Sequence, residues 1–262
     1  MAEPFGRHTG RPSMSTLPIL YCLPYAGGDT HVFHLWRTQL ADVAEVRPVQ
    51  LPYRGPLRRL YPCTRMPEMI DHLLATMPLS DQDRPVWLFG HSMGALIAFE
   101  LARAWQAMGM TSMAHLVVSG HRGPRLISLE ERQQRHSLDD AQFMALLREL
   151  GGTPPEILAN AEIMALYLPI LRVDFELCDS YMPQPGPTLR VPITALAGQL
   201  DHPHAPEAMA AWRHETQNAF QLTALQGGHF FIHTCQAQVI EALRAALSST
   251  YEKTKLETEA QF

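Results

Sequence analysis

A chain of 262 residues with 46% hydrophobic and 18% charged side chains has room for one large domain or two small ones and the make-up of a globular protein. Its net charge of -5, from 21 basic and 26 acidic residues with no basic run or stripe, argues against nucleic acid or an anionic membrane as partner. No stretch reaches the roughly 18 apolar residues of a membrane span, and MAEPFGRHTGRPSMST (1–16) lacks the apolar centre of a secretory signal, so a cytoplasmic protein is expected. Cys22, Cys63, Cys178 and Cys235 form no CxxC pair and are read as free thiols of a reducing compartment.

Residues 1–16 are expected to be a disordered leader, with Met14 an alternative start. Then short apolar runs alternate with helical patterns. ILYCL (19–23) precedes PYAGG, and HVFHLWRTQL (31–40) has apolar residues at helical spacing. VRPVQL (46–51) precedes PYRG, and MPEMIDHLLATM (66–77) repeats the helical spacing. VWLFG (86–90) runs into HSMG and the apolar helix pattern ALIAFELARAWQAM (95–108). HLVVSG (115–120) precedes HRGP. From 124 to 185 only helix-like pieces occur, punctuated by Pro154, Pro155 and Pro169, which reads as an all-helical insertion. PITALAG (192–198), AMAAWRHET (208–216), FQLTAL (220–225) and QVIEALRAAL (238–247) complete the alternation, and 249–262 reads as a flexible tail. Most strand runs are continuously apolar, as strands covered on both faces should be. The expected fold class is α/β: a mostly parallel sheet flanked by helices, one domain over 17–248 with a helical lid insertion.

The seam Gly90-His91-Ser92-Met93-Gly94 matches G-x-S-x-G, following a buried strand and opening a long helix. In that setting a tight turn lifts the serine Oγ to the carboxyl edge of the sheet, beside the free N–H groups of the helix N-terminus. A serine needs a base, and the base a carboxylate to orient it. Asp201 follows one later strand run and His229 the next, so Ser92, Asp201 and His229 are the candidate catalytic set, all at strand carboxyl ends. The oxyanion donors expected are the backbone N–H groups of Met93 and of Ala26 in LPYAGG, Tyr25 being the lesser choice.

The same residues allow rival readings. His91 is on the wrong side of a tight turn to serve as base and should pack beside it. His202 and His204 flank Asp201, and with His229 and His233 they hint at a metal, but the i, i+4 spacing of zinc hydrolases is missing, so no metal is expected. Asp174 and Glu176 lie in the insertion, away from strand ends, and are read as structural; Arg54, Arg58 and Arg59 are read as a solvated or phosphate-touching face.

LPYAGG, PVQLPYRG, LFGHSMGALIAFELAR, LRELGGTPPEIL, LRVDFELCDSY, PITALAGQLDH and GGHFFIH resemble, in that order, the type II (discrete) thioesterases of nonribosomal peptide and polyketide synthesis, over about 18–245. The resemblance implies an α/β-hydrolase fold with a mobile helical lid over an acyl channel. It implies hydrolysis of misprimed or stalled acyl groups from the phosphopantetheine arms of acyl or peptidyl carrier proteins, without cofactor, by a monomer. It places nucleophile, acid and base on Ser92, Asp201 and His229, and the oxyanion donors on Met93 and Ala26. Two departures stand out: Tyr25 replaces a usual histidine, and Tyr53 in PYRG a usual glycine. The alternatives kept open are an esterase, acyl-CoA hydrolase or acyltransferase acting on a free small substrate, and a non-catalytic synthase partner.

Overall fold

The structure is a computed structural model that describes residues 17–77, 84–127 and 134–259, with side chains described to Ser248. Six strands form one sheet in the order β2-β1-β3-β4-β5-β6: β1 Ile19–Leu23, β2 Glu45–Pro48, β3 Val86–His91, β4 Met113–Ser119, β5 Ile193–Gly198 and β6 Phe220–Leu225. Every pairing is parallel. β1, β3 and β5 are buried along their whole length, whereas the edge strands β2 and β6 are partly exposed. Burial on both faces explains why the inner runs show no alternation.

The chain passes from β1 outward to β2, then returns across β1 to β3 and continues the other way. Such a switch point leaves a crevice at the carboxyl ends of the two inner strands. On one face α2 (Met66–Thr76) and α3 (Met93–Ala107) close a core that includes Leu88, Val118, Ile193 and Trp212. Met66, Met69, Ile70 and Leu73 of α2 are buried, the i, i+3, i+4, i+7 stripe of a surface helix. On the other face Phe33, Trp36 of α1 (Trp36–Gln39), Val239 and Leu243 cover Trp87 and Phe89.

The insertion after β4 has no strand among its described residues from 124 to 185 and carries the helices α4 (Asp140–Leu150), α5 (Pro155–Leu158) and α6 (Ala161–Ser180). It has its own small core of Phe143, Leu147, Leu158, Met164, Leu171 and Phe175, onto which Ala26 packs. Pro169, one of the prolines that punctuate the insertion, lies inside the continuous α6; it deletes one i→i−4 bond but leaves a helix that its apolar face and the Asn160 N-cap hold.

Two expectations of helix extent need correction. Residues 31–40 form a 3-10 turn (Thr30–Phe33) and then the short α1, because the Asp29 side chain accepts from His31 N–H and starts a tight turn. Residues 208–216 divide into α7 (Pro206–Met209) and a 3-10 stretch (Ala210–Glu215). After α8 (Phe231–Thr234), α9 runs Gln236–Glu259, so the backbone is helical through most of the expected tail. The expected leader lies outside the described residues.

Candidate active site

Ser92 has φ 54° and ψ −117°, a conformation that costs a non-glycine residue about 1–3 kcal/mol. The surroundings over-determine it. A Cβ on Gly90 would stand 2.0 Å from the Gly94 carbonyl oxygen, and one on Gly94 would stand 2.3 Å from that of Leu23. The glycines are therefore required by close approach of strand β3, helix α3 and strand β1, all through backbone atoms. Ser92 N–H donates to the Ser119 carbonyl of β4 at 2.8 Å, which ties the turn to the other neighbouring strand.

Ser92 Oγ lies 2.9 Å from His229 Nε2, and His229 Nδ1 lies 2.7 Å from Asp201 Oδ2. Asp201 is buried, while Ser92 and His229 are half-buried. With a carboxylate facing Nδ1, that nitrogen carries the proton and Nε2 is free to accept from the serine hydroxyl. The two loops that bring acid and base together are in contact at their roots. Leu200 N–H donates to the Gly227 carbonyl at 2.9 Å, and a Cβ on Gly198 would meet the Gly227 and Gly228 carbonyl oxygens at 2.8 Å. Gly227, at φ 128°, supplies the turn into His229.

Met93 opens α3, so its N–H has no intrahelical acceptor. Neither it nor the Ala26 N–H has a hydrogen-bond partner among the described residues. The loop that carries Ala26 is held by contacts that the sequence does not announce. Gly27 N–H donates to Asp174 Oδ2 at 2.7 Å, and Tyr167 Oη donates to the Gly27 carbonyl at 2.6 Å. Asp174 is therefore not remote from the strand ends, as its place in the insertion suggests; α6 folds back onto the β1 loop. Arg54 is likewise not on a solvated face. It is 3% exposed and grips Asp174, itself 0% exposed, through both guanidinium Nη atoms at 2.8 and 2.5 Å. Arg58 and Arg59 are exposed, as expected.

His91 is fully buried beside the turn, its Nδ1 2.9 Å from Ser119 Oγ, and burial pushes its pKa well below 6.5. His204 is also driven low by desolvation; its Nδ1 accepts from Arg122 N–H at 2.9 Å. His204 stacks on His121 at 4.8 Å, and its ring centre is 5.3 Å from that of His229. Sequence reasoning missed His121. Asp201, His204 and His229 bring one possible ligand atom each within 4.8 Å of one another, but the His229 nitrogens already face Asp201 and Ser92. His202 is exposed, and His233 instead pairs with Tyr25, whose hydroxyl is 2.8 Å from its Nε2. Burial pushes the Tyr25 phenol up to about 12.

A cavity of about 840 Å³ opens beside the site between Gly151–Pro155 of the insertion and the Phe230–Thr234 stretch, with Tyr25 on its wall and Arg148 at its edge. Phe230 follows His229 and Tyr25 precedes Ala26, so the cavity reaches the neighbours of two site residues. A Cβ on Gly152 would meet the Phe230 ring at 2.0 Å, which sets the insertion tip directly on the histidine loop.

Among the described residues no helix is long and apolar enough to cross a membrane. A family model described as "Thioesterase domain" matches residues 18–247. The chain is 36% identical to the gramicidin S biosynthesis protein GrsT of Aneurinibacillus migulanus over 85% of this chain and 86% of that one. Among solved structures, ClbQ from the colibactin NRPS/PKS pathway superposes with TM-score 0.82 at 29% identity, covering 90% of this chain and 98% of its own. The type II thioesterase BorB from the borrelidin biosynthetic cluster gives TM-score 0.79 at 33% identity, covering 92% and 100%. With an all-parallel sheet, a strained serine at its switch point and these relatives, the chain belongs to the thioesterase family, hydrolases of thioesters with the α/β-hydrolase fold.

Proposed function

We propose that this protein is a cytoplasmic, monomeric type II thioesterase that clears misprimed or stalled acyl groups from the phosphopantetheine arms of carrier proteins in nonribosomal peptide or polyketide synthesis. The observation that carries the reading is the unbroken chain of hydrogen bonds from Ser92 through His229 to Asp201, beside which the backbone N–H groups of Met93 and Ala26 have no partner among the described residues.

In this reading His229, held by Asp201, takes the Ser92 proton as Oγ attacks the thioester carbonyl. The negative oxygen is stabilised by the N–H groups of Met93 and Ala26. The carbon–sulfur bond breaks, and the pantetheine thiol leaves with the proton from His229. Water, deprotonated by the same imidazole, then attacks the acyl-serine and releases the acid. The reaction needs neither metal nor redox cofactor, and the two nitrogens of His229 are committed to proton transfer rather than ligation. The cavity bounded by Gly151–Pro155 and Phe230 is a suitable channel for the acyl group or the arm, with the insertion as its lid.

The test compares hydrolysis of one acyl group, acetyl, on a phosphopantetheinylated carrier and on free CoA, for wild type and Ser92→Ala. A carrier preference that vanishes in Ser92→Ala supports the reading. Equal or greater activity on acetyl-CoA replaces it with a general acyl hydrolase. A wild type as inactive as Ser92→Ala on both points to a binding-only partner of the synthase.

A further inference from the structure

The least expected feature of the molecule is the buried pair of Arg54 and Asp174, which joins the segment after β2 to helix α6. An unpaired buried carboxylate is strongly disfavoured, and even a paired one is a poor source of stability; apolar replacements of buried ion pairs are often neutral or stabilising. What such a pair does supply is direction. Arg54 Nη1 and Nη2 take both oxygens of Asp174, and Asp174 Oδ2 also accepts from Gly27 N–H at 2.7 Å. Arg54 Nη1 reaches the Gly28 carbonyl at 2.9 Å and Arg54 Nε the Pro52 carbonyl at 3.3 Å. Tyr167 holds the Gly27 carbonyl at 2.6 Å.

Tyr167, Leu171 and Asp174 lie at i, i+4 and i+7, one face of α6 over two turns. That face sits flush on the loop: a Cβ on Gly27, which has φ 80°, would meet Leu171 Cδ2 at 2.5 Å. Arg54 is turned inward by a costly backbone. It is extended, at φ −149°, between two residues with positive φ, Tyr53 at 64° and Gly55 at 50°. Tyr53 thus holds a conformation native to glycine.

We infer that Arg54, Asp174 and Tyr167 are positioning residues that set the Ala26 N–H for catalysis, so that helix α6 of the insertion belongs to the rigid frame of the site. The inference rests on the proposed role of Ala26 as an oxyanion donor. The three side chains fix the N–H and carbonyl of Gly27 and the carbonyl of Gly28, immediately after the donor. They act through the loop and touch no reacting atom.

The test is the double variant Arg54→Met/Asp174→Leu, which removes both charges together, beside Tyr167→Phe, which removes one hydroxyl. Thermal unfolding, kcat and KM for a small acetyl thioester, and the rate of Ser92 phosphonylation by a fluorophosphonate are measured on each. The double variant is expected to unfold cooperatively near the wild-type temperature. Its kcat and phosphonylation rate should fall about 100-fold, the scale of a donor misplaced by about 1 Å, with KM changed less than about threefold. Tyr167→Phe should show the same split at about 3- to 10-fold, one neutral hydrogen bond's worth. A folded double variant with wild-type kcat and phosphonylation overturns the inference and leaves the pair merely structural. Where the double variant fails to fold, Tyr167→Phe decides, and an unchanged kcat there overturns the inference. A wild type that is not labelled at Ser92 overturns the serine mechanism itself, and the positioning role falls with it.

Discussion

The two halves of the candidate oxyanion site are built by opposite means. The turn at 90–94 is made by its own residues: two glycines without room for a Cβ, a strained serine, and hydrogen bonds to the adjacent strand. The loop at 24–28 is made by others. Its Gly27 is gripped by a residue 147 positions away, which is itself paired with one 120 positions away. Backbone against backbone tolerates almost no change, whereas side chains against backbone can be traded for other side chains. The first half should therefore be brittle and the second adjustable.

Gly94→Ala should break that contrast most strongly, because its Cβ at 2.3 Å from the Leu23 carbonyl has nowhere to go. A loss on the order of 4 kcal/mol is expected, read as collapse of the urea midpoint or of soluble yield. Gly27→Ala should be milder. The new methyl meets the tip of a leucine that can change rotamer, and the positive φ costs about 1–2 kcal/mol. Equal losses in the two variants would erase the distinction drawn here.

Acid should sharpen the comparison further. His91 in the turn and His115 on the neighbouring strand β4 are buried and neutral, the latter pushed down to about 3 by desolvation. Groups held below their ordinary 6.5 bind more protons when unfolded, so stability is flat above that pH and falls as pH drops toward the folded value. At pH 5 His115 alone should cost about 2 kcal/mol relative to pH 7. His115→Gln should flatten the fall in urea midpoint between those pH values, and an unchanged slope would remove His115 from the account.

The smallest effect belongs to Tyr53→Gly. Relief of the left-handed strain and loss of a half-buried ring oppose each other, with a more flexible unfolded chain acting on the side of the loss. Net stability should move by less than about 1 kcal/mol, measured by chemical denaturation. A loss of about 3 kcal/mol would mean the ring, not the backbone, governs that position.

The same contrast explains what could be read from the residues alone. The six strands were legible because each inner strand is an unbroken apolar run ended by turn residues. Ser92, Asp201 and His229 could be named because each follows a strand run, the inner β3 and β5 and the edge β6, and the structure brings their polar atoms within hydrogen-bonding distance. Arg54 and Asp174 were misplaced because a charged residue reads as solvated unless its partner is known, and pairing across 120 residues has no local signature. Faint signals existed: an acid inside the apolar stretch LRVDFEL, and an arginine between a tyrosine and a glycine in PYRG. Pro169 stands inside α6 because a helix with a packed face survives one missing bond.

Two of the contacts that fasten the insertion to the rest of the molecule reach the loops of the site, Gly152 on Phe230 and the Tyr167–Asp174 face on Gly27. Exchanging it between relatives is a natural route to altered acyl preference, yet it cannot be moved as a cassette. A donor segment must bring a glycine for the ring of Phe230 and an acid for Arg54, or the recipient must surrender both partners. Chimeras that respect these two seams are the ones to make.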